Sequence, residues 1–449
     1  MPVGSFDRNV FETLESEVRS YSRSWPAVFD RANGSRLHDE NGRPYLDFFA
    51  GAGALNYGHN NPVLKRALLD YLEKDGVAHA LDMSTVAKRT FLETFREIVL
   101  EPRELPYKVM FPGPAGTNAV EAALKLARKV KGREPVVFFT NSFHGMSLGS
   151  LAVTGNAFKR AGAGIPLVHA TPMPFDDPLD DRTSGFLWLE RLLEGRGSGL
   201  DTPAAVIVEA VQGEGGINVA RAGWLRELAE LCRRSDMLLI VDDIQMGCGR
   251  TGAFFSFEES GITPDIVTLS KSISGYGLPM ALTLFRPELD VWEPGEHNGT
   301  FRGFNPAFVT ATAALEEYWR DGGLEKQTLA RGEEIRQALD TVADDGPAHA
   351  PGVRGRGLAW GVEFADTSRA SLVCARAFEL GLLLETSGAD GEVAKLFPPL
   401  TISDEELEEG VALFARAVQE TEPSPRAPAA ERAQRYGPHR RSVPPAGER

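Results

Sequence analysis

Ile266-Val-Thr-Leu-Ser270 runs directly into Lys271-Ser-Ile-Ser-Gly275, so an amine stands at the end of an apolar run of the kind that forms a buried strand. A lysine fixed there reaches into a cleft from a stiff backbone. Burial would lower its pKa toward the range that a nucleophile or a general base needs. Asp242 follows a second apolar run, 238–241, at the mouth of the same sheet, where a carboxylate can keep a neighbouring nitrogen protonated. The plainer role for one of the pair Asp242-Asp243 is to cap the next turn. Gly113-Pro-Ala-Gly-Thr-Asn118 precedes a helix whose apolar face is Val120, Ala123, Leu124, Ala127 and Val130. The amides of Gly116 and Thr117 in its first turn, with the Thr117 hydroxyl, would face an anion. Phe143-His144-Gly145 comes just after a run ending at Thr140, offering a face to stack on a flat ring and an imidazole beside it, although a phenylalanine there also suits the core. Glu209 with Gln212-Gly-Glu-Gly-Gly216, and Gln245 after Asp242, complete the polar groups at strand ends.

An amine to form an imine, a carboxylate for a pyridine nitrogen, a phosphate cradle and a ring to stack are what pyridoxal phosphate asks of a protein. Each local pattern alone is common. Their order along the chain carries the weight: phosphate loop, aromatic, Glu209, Asp242, Gln245, then Lys271, at the carboxyl ends of successive strands.

The elements that must position these groups are legible too. Runs at 136–140, 205–209, 238–241 and 266–269 predict short strands covered on both faces, and helical segments follow all but the last, so the fold class is α/β with a mostly parallel sheet flanked by helices. Residues 28–49 predict short antiparallel strands turning at Asn33-Gly34 and Asn41-Gly42. Gly51-Ala-Gly-Ala-Leu-Asn-Tyr-Gly58 is too glycine-rich for a stable helix, and His59-Asn-Asn-Pro62 signals a turn into a new one. Ser403-Asp-Glu-Glu406 predicts a capping box on a closing helix. The expected organisation is an N-terminal segment of a small domain at 1–60, a large cofactor-binding domain at 61–320, and a C-terminal part of the small domain at 321–420. A proline- and arginine-rich tail, 421–449, carries +3 and is expected to be disordered.

With 63 acidic against 48 basic residues and a net charge of -15, the surface disfavours nucleic acid. There is no signal-like N-terminal segment and no run of about 18 uncharged apolar residues, which predicts a cytoplasmic protein without a membrane partner. Cys232, Cys248 and Cys374 are too scattered for a disulfide framework or zinc site, and Cys248 suits a small buried thiol.

From Phe6 to about Gln419 the sequence resembles the class III aminotransferases of pyridoxal-phosphate fold type I, and among them the branch that makes 2,4-diaminobutyrate for ectoine. The stretches 46–59, 116–129 and 292–302 (Trp-Glu-Pro-Gly-Glu-His-Asn-Gly-Thr-Phe-Arg) carry the likeness. The resemblance implies that Gly116 and Thr117 bind the cofactor phosphate and that Thr300 does so in the neighbouring subunit, making a homodimer the smallest active unit. It implies that Phe143 stacks on the ring beside His144, that Asp242 pairs with the ring nitrogen, and that Gln245 lies near the 3-hydroxyl. Glu209 would belong to the surrounding hydrogen-bonded shell, and Lys271 would carry the cofactor. A potassium dependence is implied as well, with no metal ligands to place it. The implied reaction converts L-aspartate 4-semialdehyde and L-glutamate into L-2,4-diaminobutyrate and 2-oxoglutarate. Other ω-amino substrates, such as ornithine or 4-aminobutyrate, would use the same cofactor groups. Two departures stand out. Ala115 replaces a common Ser or Thr, and Lys395 stands where many members have a carboxylate-gripping arginine. Lys395 is therefore expected to meet the glutamate carboxylate, and Arg302 that of the semialdehyde.

Overall fold

The computed structural model describes residues 9–177, 185–344 and 352–421; the tail beyond Thr421 lies outside them. Four strands, Val136–Phe139, Ala205–Val208, Leu238–Asp242 and Ile266–Leu269, are buried at every position, so each needs cover on both faces. They lie side by side in a seven-stranded sheet. Its order is Lys108–Met110, Leu282–Phe285, Ile266–Leu269, Leu238–Asp242, Ala205–Val208, Val136–Phe139 and Ala170–Met173. Leu282–Phe285 runs antiparallel to both of its neighbours, which explains why no crossover helix follows Leu269.

Helix Gly116–Lys131 covers one face. Val120, Ala123, Leu124 and Ala127 are fully buried as the periodicity predicts, while Val130 is only half-buried. Ala119, Ala122 and Leu126 are buried too, so the packed face is broader than one stripe. Gly132, at φ 61°, ends the helix in the left-handed conformation.

The chain ends build the smaller part. Phe29–Asn33, Arg36–Asp39 and Pro44–Asp47 form an antiparallel meander with left-handed glycines at Gly34 and Gly42, the two predicted turns. Its third strand takes on Leu382–Leu383, from far along the chain, in parallel. A second antiparallel sheet orders Val353–Arg356, Ala359–Glu363, Val393–Leu396 and Glu385–Ser387. The closing helix is Asp404–Glu420, with the Ser403 hydroxyl accepting from the Glu406 amide at 3.2 Å. Only that half of the expected box forms. The Glu406 carboxylate turns instead to Ser35 and to Arg36, tying the helix to the N-terminal sheet.

The glycine-rich segment departs from a helix as expected. Ala50, Gly51, Ala52 and Gly53 all have positive φ (47°, 59°, 55° and 88°), and Asp47 Oδ1 holds the turn by accepting from the amides of Phe49 and Ala50, each at 2.8 Å. Two alanines in the left-handed region cost roughly 1–2 kcal/mol each, so the turn persists because its surroundings impose it. Asn61 then caps helix Pro62–Glu73, accepting from the Val63 amide at 3.1 Å.

Candidate active site

The carboxyl ends of the buried strands open onto a cavity of about 170 Å³. Gly116, Thr117, Phe143, His144, Glu209, Asp242, Gln245 and Lys271 all line it, together with Glu214, so eight of the residues singled out by sequence converge. Lys271 begins a short 3-10 turn immediately after Ile266–Leu269, and its own φ is 51°. Its Nζ donates to the carbonyl of Ala52 at 2.9 Å. Burial lowers its pKa to about 8 against the attraction of Glu214, with Lys395 repelling it further. At neutral pH the amine is still mostly protonated, but its neutral fraction is far larger than that of an exposed lysine.

Asp242 ends the strand Leu238–Asp242. Its Oδ2 lies 2.7 Å from His144 Nδ1, and its Oδ1 accepts from the Ile244 amide at 3.1 Å and the Thr268 hydroxyl at 3.2 Å. The local-capping role and the site role therefore coexist in one carboxylate. Although burial pulls the His144 pKa down, its hydrogen bond to Asp242 and the charges of Asp242 and Glu209 raise it overall. Glu209 is pushed up to about 7, chiefly by burial. Its Oε1 accepts from the Phe143 amide at 2.9 Å and so fixes the backbone of the aromatic. Lys159 stands over the Phe143 ring with its Nζ 4.0 Å from the centroid. Asp243, by contrast, is a structural residue, accepting from Ser256 through both the backbone amide and the hydroxyl.

At the other end of the cavity, Gly116 and Thr117 occupy the first turn of their helix, where amides have no intrahelical acceptor. Thr117 Oγ1 joins a hydroxyl cluster, 2.5 Å from Ser147 Oγ and 3.0 Å from Ser150 Oγ. Gly145 is required there: its φ is 127°, and a Cβ would come within 2.6 Å of Thr117 Oγ1. Ala115 is exposed and gives the helix no side-chain cap, while its amide is taken by Asn118 Oδ1 at 3.0 Å. An anion at this helix start would be met by amides and the Thr117 hydroxyl.

Gln245 Nε2 donates to the Ala52 carbonyl at 2.9 Å and to Glu214 Oε1 at 3.1 Å. A Cβ on Gly213 would fall 1.7 Å from Gln245 Oε1, so the glycines around Glu214 admit this side chain. Gln245 Oε1 and His144 Nε2 are buried without a hydrogen-bond partner in the protein. With an amine, a backed carboxylate, an aromatic face and a helix N-terminus around one cavity, these residues fit pyridoxal phosphate.

Three expected residues lie elsewhere. Thr300 is exposed, its carbonyl 2.5 Å from His79 Nε2, and is not among the residues lining its own chain's cavity. Arg302, on the same segment, donates to Asn298 Oδ1 at 3.3 Å and also lies outside that cavity. Lys395 is fully buried rather than solvent-facing, but its ammonium meets Glu214 at 2.8 Å and Glu385 at 2.6 Å. A substrate carboxylate would have to compete with both. Burial opposes its charge, yet the two glutamates raise its pKa overall. Glu214 had appeared in the sequence only within its glycine run, and Glu385 and the Ala52 carbonyl had no signal at all.

Residues 18–418 match the family described as aminotransferase class-III. A diaminobutyrate–2-oxoglutarate transaminase of Streptomyces avermitilis is 73% identical over 422 residues, covering 94% of this chain and 100% of that one. One from Streptomyces anulatus is 75% identical, covering 92% and 98%. Among solved structures, the ornithine aminotransferase of Toxoplasma gondii superposes with a TM-score of 0.80 at 27% identity, over 92% of this chain and 94% of that one. From the family match, the near full-length relatives and the convergence of its strand-end residues on Lys271, the chain belongs to the class III aminotransferases.

Proposed function

We propose that this chain moves the amino group of L-glutamate to the aldehyde carbon of L-aspartate 4-semialdehyde, giving L-2,4-diaminobutyrate and 2-oxoglutarate. The observation that carries the choice of substrates is identity above 70%, over nearly the whole of both chains, to transaminases bearing the name of that reaction. The cavity supports the chemistry. Bound there, pyridoxal phosphate supplies an electron sink and a carrier for the amino group. Lys271 holds and moves the proton at the reacting carbon, its pKa lowered by burial and its amine steadied by the Ala52 carbonyl. Asp242 provides the negative charge opposite a ring nitrogen, oriented by His144 and Thr268. Phe143, anchored through its amide by Glu209, covers a ring face.

The active unit is a homodimer in a cytoplasmic enzyme. Thr300 and Arg302 share a segment outside their own chain's cavity, so a role for either at phosphate or substrate carboxylate calls for a second copy. The product supplies ectoine synthesis.

Purified enzyme given glutamate and a panel of aldehyde acceptors tests the reading. Aspartate semialdehyde is expected to give the highest kcat/KM, and Lys271→Ala to abolish turnover with all acceptors. Preference for glutamate semialdehyde or succinate semialdehyde would move the assignment to ornithine or 4-aminobutyrate chemistry.

A further inference from the structure

One buried carboxylate beside the reactive amine has no part in the chemistry above. Glu385 faces Lys395 across the antiparallel pairing of Glu385–Ser387 with Val393–Leu396, and its Oε1 lies 2.6 Å from the Lys395 ammonium. Glu214 meets the same ammonium at 2.8 Å and also lines the cavity around Lys271. Two carboxylates thus share one cation, and once Lys271 is neutral the group holds a surplus negative charge.

The surplus is not evenly divided. Glu214 lies close to both Lys395 and Lys271, whose charges hold its pKa below the usual carboxylate range despite burial. Glu385 is raised, by burial first and then by Glu214, with Lys395 only partly compensating. It is 8% exposed, and its Oε1, although in ionic contact with Lys395, has no partner in hydrogen-bonding geometry. Tyr21, a partly exposed residue, brings its phenol into hydrogen-bonding contact with Glu385, and burial and the charge of Glu385 raise it. Glu385 therefore lies between the buried ion pair and the phenol of the partly exposed Tyr21.

Resting on the diaminobutyrate reading, we propose that Glu385 receives the α-ammonium of the four-carbon substrate and so selects a diamino acid over a monoamine of equal length. L-2,4-Diaminobutyrate and aspartate semialdehyde both carry that ammonium two carbons from the reacting carbon. 4-Aminobutyrate has the same chain and the same reactive amine, with hydrogen in its place. A buried carboxylate that shares its one cation with a second carboxylate gains from the substrate's ammonium and gains nothing from the hydrogen, and sites that pair a polar group reject analogues lacking it strongly.

The test is the ratio of kcat/KM for diaminobutyrate to that for 4-aminobutyrate, with 2-oxoglutarate as acceptor, in wild type, Glu385→Asp and Glu385→Gln holoenzymes. Removing the charge at constant shape is expected to lower the ratio at least tenfold, about 1.4 kcal/mol. The shortened carboxylate should fall between the two. An unchanged ratio in Glu385→Gln, or equal losses in both variants, overturns the proposal. Should the Gln variant not fold, Glu385→Asp alone must lower the ratio at least threefold, and no change there overturns it as well. Wild-type enzyme that ignores diaminobutyrate would instead remove the reaction assignment on which the proposal rests.

Discussion

Lys271 owes its lowered pKa to burial, which outweighs the attraction of Glu214. The sign of the pH effect follows. Below a pKa of about 8 the amine is mostly protonated and cannot attack a carbonyl, so the rate at which apoprotein takes up pyridoxal phosphate should rise roughly tenfold from pH 7 to 9 and then level off. Stopped-flow absorbance gives the profile; a rate still climbing at pH 10.5 would mean an unshifted lysine. Asp242→Asn keeps the size of the side chain and removes its charge. Both half-reactions should slow by about a hundredfold at saturating cofactor, and an unchanged rate would leave Asp242 only its hydrogen bonds with His144, Ile244 and Thr268. These two residues were legible in the sequence because each stands at the end of a buried run, a position that fixes where a side chain emerges. Ala52 was not, since it contributes a main-chain carbonyl that any residue possesses. Glu385 was not, since its meeting with Lys395 depends on a register between two short strands that no local pattern sets. Lys395 was legible as a position that could meet a substrate carboxylate, but its two glutamate partners were not, because they come from separate parts of the chain.

Secondary elements were easiest to foresee where periodicity and caps agree. The four central strands fall within a residue of their predicted ends, and burial on both faces is the reason they stood out. The strand Leu282–Phe285 was not foreseen as the antiparallel member, because apolar runs of that length look alike whichever way they point. At the closing helix, Ser403 acts as its sequence suggests, and Ser403→Ala should cost about 1 kcal/mol by exposing an unpaired amide. Urea denaturation of the holoenzyme measures this as a lowered midpoint, with kcat unchanged. A drop of several kcal/mol would show that the helix also depends on Ser403 for its docking through Glu406 to Ser35 and Arg36.

At the scale of the whole molecule, the placement of Thr300 makes a prediction about pairs of chains. If Thr300 serves the neighbouring subunit's phosphate site as proposed, Thr300→Asp puts a negative charge there, and Lys271→Ala removes the amine, so each homodimer should be nearly inactive. Mixed dimers of the two should regain about half the wild-type rate, because one of their two sites takes both intact residues from different subunits. Activity no higher than that of the parents would place Thr300 outside the partner's site. The large sheet could be anticipated from the chain because its neighbours in space are largely neighbours in sequence. The smaller part could be anticipated only as a meeting of the chain ends, since Leu382–Leu383 must cross most of the protein to join Pro44–Asp47.

That crossing has a consequence in time. The turn that presents the Ala52 carbonyl is pinned by Asp47, Asp47 lies opposite Leu383 in the parallel pairing, and the lysine that meets this carbonyl comes 219 positions after it. A ribosome completes the sheet strands long before it delivers Leu383. A nascent chain that has emerged as far as Lys271 owns the amine without the strand that steadies its acceptor, and one cut short before residue 382 never acquires it. The strand that backs the turn facing Lys271 is therefore delivered only near the end of synthesis.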